Sequence, residues 1–94
     1  MDGYFEILIE KLRNEDALTQ SELDDLYSEF VYDEDIEELL GGGRVRWFSV
    51  IEVAPDEYYG FYKITSDYEA TEYETEISRV YPKPHEVIFW EDEP

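Results

Sequence analysis

Cysteine is missing from this 94-residue chain, and histidine and methionine occur once each. Without thiols there is no disulfide, thiolate nucleophile or Cys-ligated zinc, a pattern that fits a reducing cytosol. Bases are nearly as scarce: 7 Lys or Arg stand against 26 Asp or Glu, for a formal net charge of −19. Phosphates and anionic headgroups are neutralised by Lys and Arg, so direct nucleic-acid or anionic-membrane binding is not the expectation. Basic partners are. No apolar run approaches the roughly 18 residues of a membrane span. The start, Met1-Asp2-Gly3-Tyr4, has neither the basic nor the apolar region of a secretory signal. A soluble, cytoplasmic protein is expected.

What is present is enough to fold. Apolar residues make up 43% of the chain and aromatics 17%, above the low-hydrophobicity, high-charge signature of disorder. Residues 1–94 read as a single domain: a helical half over 1–43, an antiparallel sheet over 44–90 and an acidic tail over 91–94. The charge is uneven, with a net of −12 in residues 1–43 and −7 in 44–94. Between Arg13 and Arg44 there are eleven acids and no base.

Periodicity predicts two to three N-terminal helices packed on a three- to four-stranded antiparallel sheet, an α+β fold. Phe5, Leu8, Ile9 and Leu12 share one helical face that Asp2 can cap, although Tyr4 to Ile9 is also compatible with a strand. Thr19-Gln20-Ser21-Glu22 is a capping-box pattern opening a second helix, along which Leu23, Leu26, Tyr27 and Phe30 repeat the spacing. The phase then slips near Val31 to Asp33. Ile36, Leu39 and Leu40 imply a third helical segment capped by Asp33 and closed by Gly41-Gly42-Gly43. Strands follow at Arg44 to Val53, at Tyr58 to Thr65 after a turn at Ala54-Pro55-Asp56-Glu57, within Tyr68 to Val80, and at His85 to Trp90. In the first of these, Val45, Trp47, Ile51 and Val53 occupy one face and Phe48 and Val50 the other, so one face is expected on the helices and the other covered or open to a partner.

Little here promises catalysis, and no enzyme, metal or cofactor is expected. His85 is the lone histidine, and no His-rich or Cys-rich ligand pattern can be drawn. Carboxylate pairs abound, but acid–base work needs one of them raised in pKa within an enclosed pocket. A calcium loop starting at Asp33 fails because Glu38 replaces the required glycine and Arg44 the bidentate glutamate. The glycine triplet lies after a helix and before a strand in this reading, the reverse of a phosphate cradle.

The acids themselves are the candidate site. Glu22, Asp25 and Glu29 lie along one stripe of the second helix with Asp24 on its flank, and Glu34, Asp35, Glu37 and Glu38 follow. In the third strand Glu72, Glu74 and Glu76 would share one face, about 6.6–6.8 Å apart, with Tyr73 between them. Like charges so arranged repel one another, and −19 exceeds the magnitude of about 2–8 that keeps a small domain soluble. Selection for a partner explains the excess. Tyr58, Tyr59, Tyr62, Tyr68, Tyr73 and Tyr81 crowd the strand region, and exposed tyrosines within a carboxylate field suit the Arg and Lys of a nucleic-acid-binding groove.

Arg46-Trp47-Phe48-Ser49-Val50-Ile51-Glu52-Val53, Tyr58-Tyr59, Thr71 to Glu76 and Pro84-His85-Glu86-Val87 together resemble a type of small acidic protein encoded by tailed bacteriophages. The resemblance covers about half the chain and implies a phage origin and action in the host cytoplasm. In size, charge and helix-plus-sheet character the chain is also similar to DNA-mimic inhibitors, including anti-CRISPR and anti-restriction proteins. The resulting expectation is an inhibitor that occupies the basic groove of a host nucleic-acid-binding defence protein, with the acids named above and Tyr73 as contacts. An immunity protein or antitoxin against a basic nuclease, or a halophilic protein whose acids only hold water, are the alternatives.

Overall fold

The computed structural model describes residues 3–82 and 90–91, arranged as α1 (Gly3–Arg13), α2 (Gln20–Phe30), β1 (Val31–Gly41), β2 (Arg44–Ala54), β3 (Glu57–Thr65), β4 (Glu72–Tyr73), β5 (Ser78–Pro82) and β6 (Trp90–Glu91). The α+β class is as expected: two helices, then an antiparallel sheet. The strand order is β1-β2-β3-β5-β6, with β4 also paired to β3. Two features of the sequence reading, the cap at Asp2 and the strand from His85, rest wholly or mainly on residues outside those described.

The two helices form an antiparallel hairpin. Leu8, Ile9 and Leu12 of α1 and Leu23 and Leu26 of α2 are buried, and the Phe5 and Phe30 rings meet edge-on at 5.5 Å. Thr19 caps α2 through the expected box: its hydroxyl accepts from the Glu22 amide, and the Glu22 carboxylate accepts from the Thr19 amide. α1 ends without glycine. Asp16 N–H donates to Lys11 O and Glu15 N–H to Leu12 O, a Schellman pattern with Glu15 itself in the left-handed region at φ 59°. Against the sheet, the hairpin forms a core of Leu8, Leu12, Leu18, Leu23 and Leu26 with Ile51, Tyr59, Phe61 and Tyr73.

The expected third helix is instead β1. Its apolar spacing is helical, but two of the three register irregularities of β1 give the same grouping on a strand. Ile36 pairs with Trp47, Glu38 with Arg46 and Leu39 with Val45, so the extra residue at Glu37 brings Leu39 back to the face of Ile36. A plain strand would place residues 36 and 39 on opposite faces. A second irregularity between Val31 and Asp33 does the same for Val31 and Glu34. The glycine triplet accordingly closes a β-hairpin and not a helix. Gly42 and Gly43, at φ +63° and +77°, form its two-residue turn, and positive φ at both central positions is what a tight right-twisted hairpin needs. Pro55-Asp56 turns the next hairpin, with Asp56 at φ 62°.

The two faces of β2 separate as their alternation implies. Ser49 and Ile51 lie on the helix side with Tyr59, Phe61 and Lys63 of β3. On the far side Val50, Tyr58 and Val80 form a second buried cluster with Phe48 packed on it. Phe48 lies across Gly60: a β-carbon there would come within 2.5 Å of its ring.

Candidate functional site

Most of the few bases are paired with carboxylates of the chain itself, and of these Lys63 is buried. Lys11 Nζ lies 3.0 Å from Glu22. Arg13 grips Glu57 with two bonds of 2.7 and 2.9 Å, and Arg46 grips Glu74 the same way at 2.6 and 2.9 Å while stacking on the Tyr62 ring. Lys63, only 7% exposed, sits 2.6 Å from Glu34 and 3.7 Å from the centre of the Tyr27 ring. Burying a lone ammonium is costly, so the Glu34 carboxylate and the aromatic faces are what allow Lys63 its place. Lys63 is also the one base between Arg46 and Arg79. A solitary cation within an aromatic strand was a legible sign of this buried pair, and the sequence reading passed over it.

Titration follows the same contacts. Burial pushes the Glu34 carboxyl up, but bonds from Lys63, Tyr27 and Ser49 together outweigh it and hold the group below its ordinary value. Hydrogen bonds from Arg13, opposed by burial, bring Glu57 down to about 2. The Thr19 amide lowers Glu22, with Lys11 adding to it, and Arg46 lowers Glu74. Burial, then a bond to Glu57, pushes Tyr59 up to about 12.

These pairings redistribute the expected contact set. On α2 the Glu22 and Asp25 stripe turns toward α1, because Lys11 reaches Glu22 and the Tyr4 hydroxyl donates to Asp25. Asp24 accepts from Tyr73, itself 4% exposed and packed between α2 and the sheet. Tyr73 is therefore a core residue and not a surface anchor. Glu34 belongs to the Lys63 pair. The evenly spaced row Glu72, Glu74, Glu76 does not form, since β4 stops at Tyr73 and β5 starts at Ser78; the Gln20 side chain, bonding both the amide and the carbonyl of Tyr73, pins this short strand to α2. Of the tyrosines expected outside, Tyr58, Tyr59 and Tyr73 are buried, and Tyr68 is 87% exposed.

What remains outward is a narrower acidic rim. Glu29, Asp35, Glu37, Glu38, Glu72 and Glu76 are exposed, and no cation lies within ion-pair distance of them among the described residues. The register places Glu38, Arg46, Ile64 and Glu72 in one row across four strands of the far face. Three strand spacings separate the two glutamates, roughly 14 Å. Between them Arg46 is already neutralised by Glu74. Asp67 lies at the β1–β2 turn, its carboxylate 2.8 Å from where a Gly43 β-carbon would stand, and Tyr68 and Glu69, which follow it in sequence, are exposed. The turn end of the sheet is thus anionic, with Tyr68 and the 73%-exposed Leu39 as its apolar contacts and Arg44 as its exposed cation.

A separate cleft of about 590 Å³ opens at the other side of the sheet, among Leu12, Arg13, Tyr59, Thr75, Ile77 and Arg79 and the carboxylates of Glu15, Asp16 and Glu76. Arg13 is engaged by Glu57, and Arg79 donates to the Asp56 carbonyl and lies over the Tyr59 and Tyr81 rings, while its buried Nε has no hydrogen-bond partner among the described residues. Among the described residues no three His, Asp or Glu side chains group as a metal site, and no helix is long and apolar enough to cross a membrane. No protein-family model, curated protein or solved structure matches the chain.

Proposed function

We propose that this protein is a phage-type DNA mimic that inhibits a bacterial nucleic-acid-binding defence protein, such as a CRISPR effector or a restriction enzyme, by occupying its basic groove. One observation carries this reading: Lys11, Arg13, Arg46 and Lys63 are each bound to a carboxylate of the chain itself. Pairing within the chain neutralises four of its seven bases, while Asp35, Glu37, Glu38 and Glu72 have no ion-pair partner among the described residues. A groove that binds phosphates meets in these carboxylates a set of fixed negative charges. No bond is made or broken. Association is steered by charge, fast at low salt and steeply weakened as salt rises.

The test is retention from a bacterial lysate on the immobilised chain at low salt, followed by a rising salt gradient. The wild type is expected to hold one nucleic-acid-binding protein to the highest salt, and a D35N/E37Q/E38Q variant to release it early. Equal retention by both, or an unselective spread of basic proteins on either, would overturn the assignment.

A further inference from the structure

Arg79 is a base without a carboxylate. In a chain with 26 acids, none lies at ion-pair distance from it among the described residues. Arg44 is also unpaired, but it is exposed and water can solvate it. Arg79 is half-buried. Of the five N–H donors of a guanidinium, one is used within the fold, from Nη2 to the Asp56 carbonyl at 3.2 Å, and the buried Nε has no acceptor. Buried polar groups are normally satisfied, so an orphaned one points to a missing acceptor. The side chain lies between the Tyr59 and Tyr81 rings, 5.6 and 5.1 Å from their centres, and lines the cleft of about 590 Å³.

We propose that this cleft binds a small zwitterion of the amino-acid type, its carboxylate on Arg79 and its ammonium among Glu15, Asp16 and Glu76. The proposal does not depend on the partner assigned to Asp35, Glu37, Glu38 and Glu72. The cleft has the volume of a small-molecule site. Arg13 does not compete for the carboxylate, because Glu57 already grips it with two bonds. Arg79 offers a planar fork with most of its donors unused, which suits a carboxylate. A simple anion is the wrong ligand, since the net charge of −19 repels it and three further carboxylates line the same cleft. A simple cation is wrong too, because it leaves Arg79 without its counter-charge. A zwitterion has no net charge and answers both ends. Glu15, Asp16 and Glu76 do not group as a metal site among the described residues, so they act as a diffuse negative field suited to an ammonium. Leu12, Ile77 and the Tyr59 ring supply the wall for an apolar side chain.

Leucine, leucinamide and 4-methylpentanoate separate the two ends: the first carries both charges, the second lacks the carboxylate and the third lacks the ammonium. Each is titrated into the full chain by calorimetry at about pH 6, where the amines are charged, with the Arg79 Nε–H resonance in NMR as the site readout. Leucine is expected to bind about tenfold tighter than either analogue, equivalent to about 1.4 kcal/mol, and to shift that resonance. R79Q should remove the preference over leucinamide, and E76Q, at an exposed position, should reduce the preference over 4-methylpentanoate, with the folding of both checked by circular dichroism. If the three probes bind alike, or leucine does not bind, the proposal falls. Leucine binding that leaves the Arg79 resonance unmoved, or that a folded R79Q retains in full, places the ligand elsewhere and overturns it as well.

Discussion

Glu34 shows how a residue's role depends on what faces it. In the sequence it is one acid in a run of them; in the fold it holds the buried Lys63 and accepts from Tyr27 and Ser49. Removing one partner of a buried pair strands the other charge. E34Q is expected to lower stability by about 3 kcal/mol in denaturant unfolding, and E34Q/K63M, which removes both charges, to recover much of the loss. A double variant as unstable as the single one would mean that the pair is not the reason for the cost. The same contacts set the acid limit. A carboxyl whose folded pKa is depressed contributes stability above its unfolded value and loses it as pH falls toward the folded one. For Glu57 that window runs from the ordinary 4.5 down to about 2, and Glu34, Glu22 and Glu74 shift in the same direction. Melting temperature should therefore fall as pH is lowered through this window. R13M should flatten the part due to Glu57; an unchanged pH profile would contradict its pairing.

At the scale of elements, legibility follows how local the determining forces are. The second helix was readable because its cap and apolar stripe lie within a dozen residues: Thr19 and Glu22 cap each other, and Leu23, Leu26, Tyr27 and Phe30 need only helical geometry to share a face. For the first, the stripe of Phe5, Leu8, Ile9 and Leu12 carried the reading against a strand over Tyr4 to Ile9. β1 was not readable as a strand. Ile36 and Leu39 satisfy a helical spacing and, through an inserted residue, a strand as well, and only pairing with β2 decides between the two. The tie between Gln20 and Tyr73 spans 53 positions, and no local pattern announces it. The far-face cluster was half legible, since Phe48 and Val50 alternate with the helix-facing residues, but its closure depends on Gly60. G60A puts a methyl group into the Phe48 ring and against Val80, so an overpacking cost of about 1–3 kcal/mol is expected, measurable by urea unfolding. Wild-type stability in that variant would mean that Phe48 does not lie across Gly60.

For the whole molecule, −19 is a liability that the fold partly manages. Self-repulsion opposes compactness, and two apolar clusters and the internal ion pairs offset it. Evenly spread acids would serve hydration in concentrated salt. Here Lys11, Arg13, Arg46 and Lys63 are each held by a particular carboxylate, and Asp35, Glu37, Glu38 and Glu72 face out without an ion-pair partner among the described residues. That pairing, invisible in a total charge, is the ground on which mimicry of a phosphate backbone is proposed here over a merely hydrated surface. The decisive measurement is competition: the protein retained from the lysate is bound to labelled duplex DNA, and the chain is titrated in at fixed salt. Displacement of the DNA to completion, with D35N/E37Q/E38Q requiring a concentration at least about tenfold higher, is expected if the acidic rim occupies the nucleic-acid groove. A stable ternary complex, with DNA and the chain bound together, would contradict it.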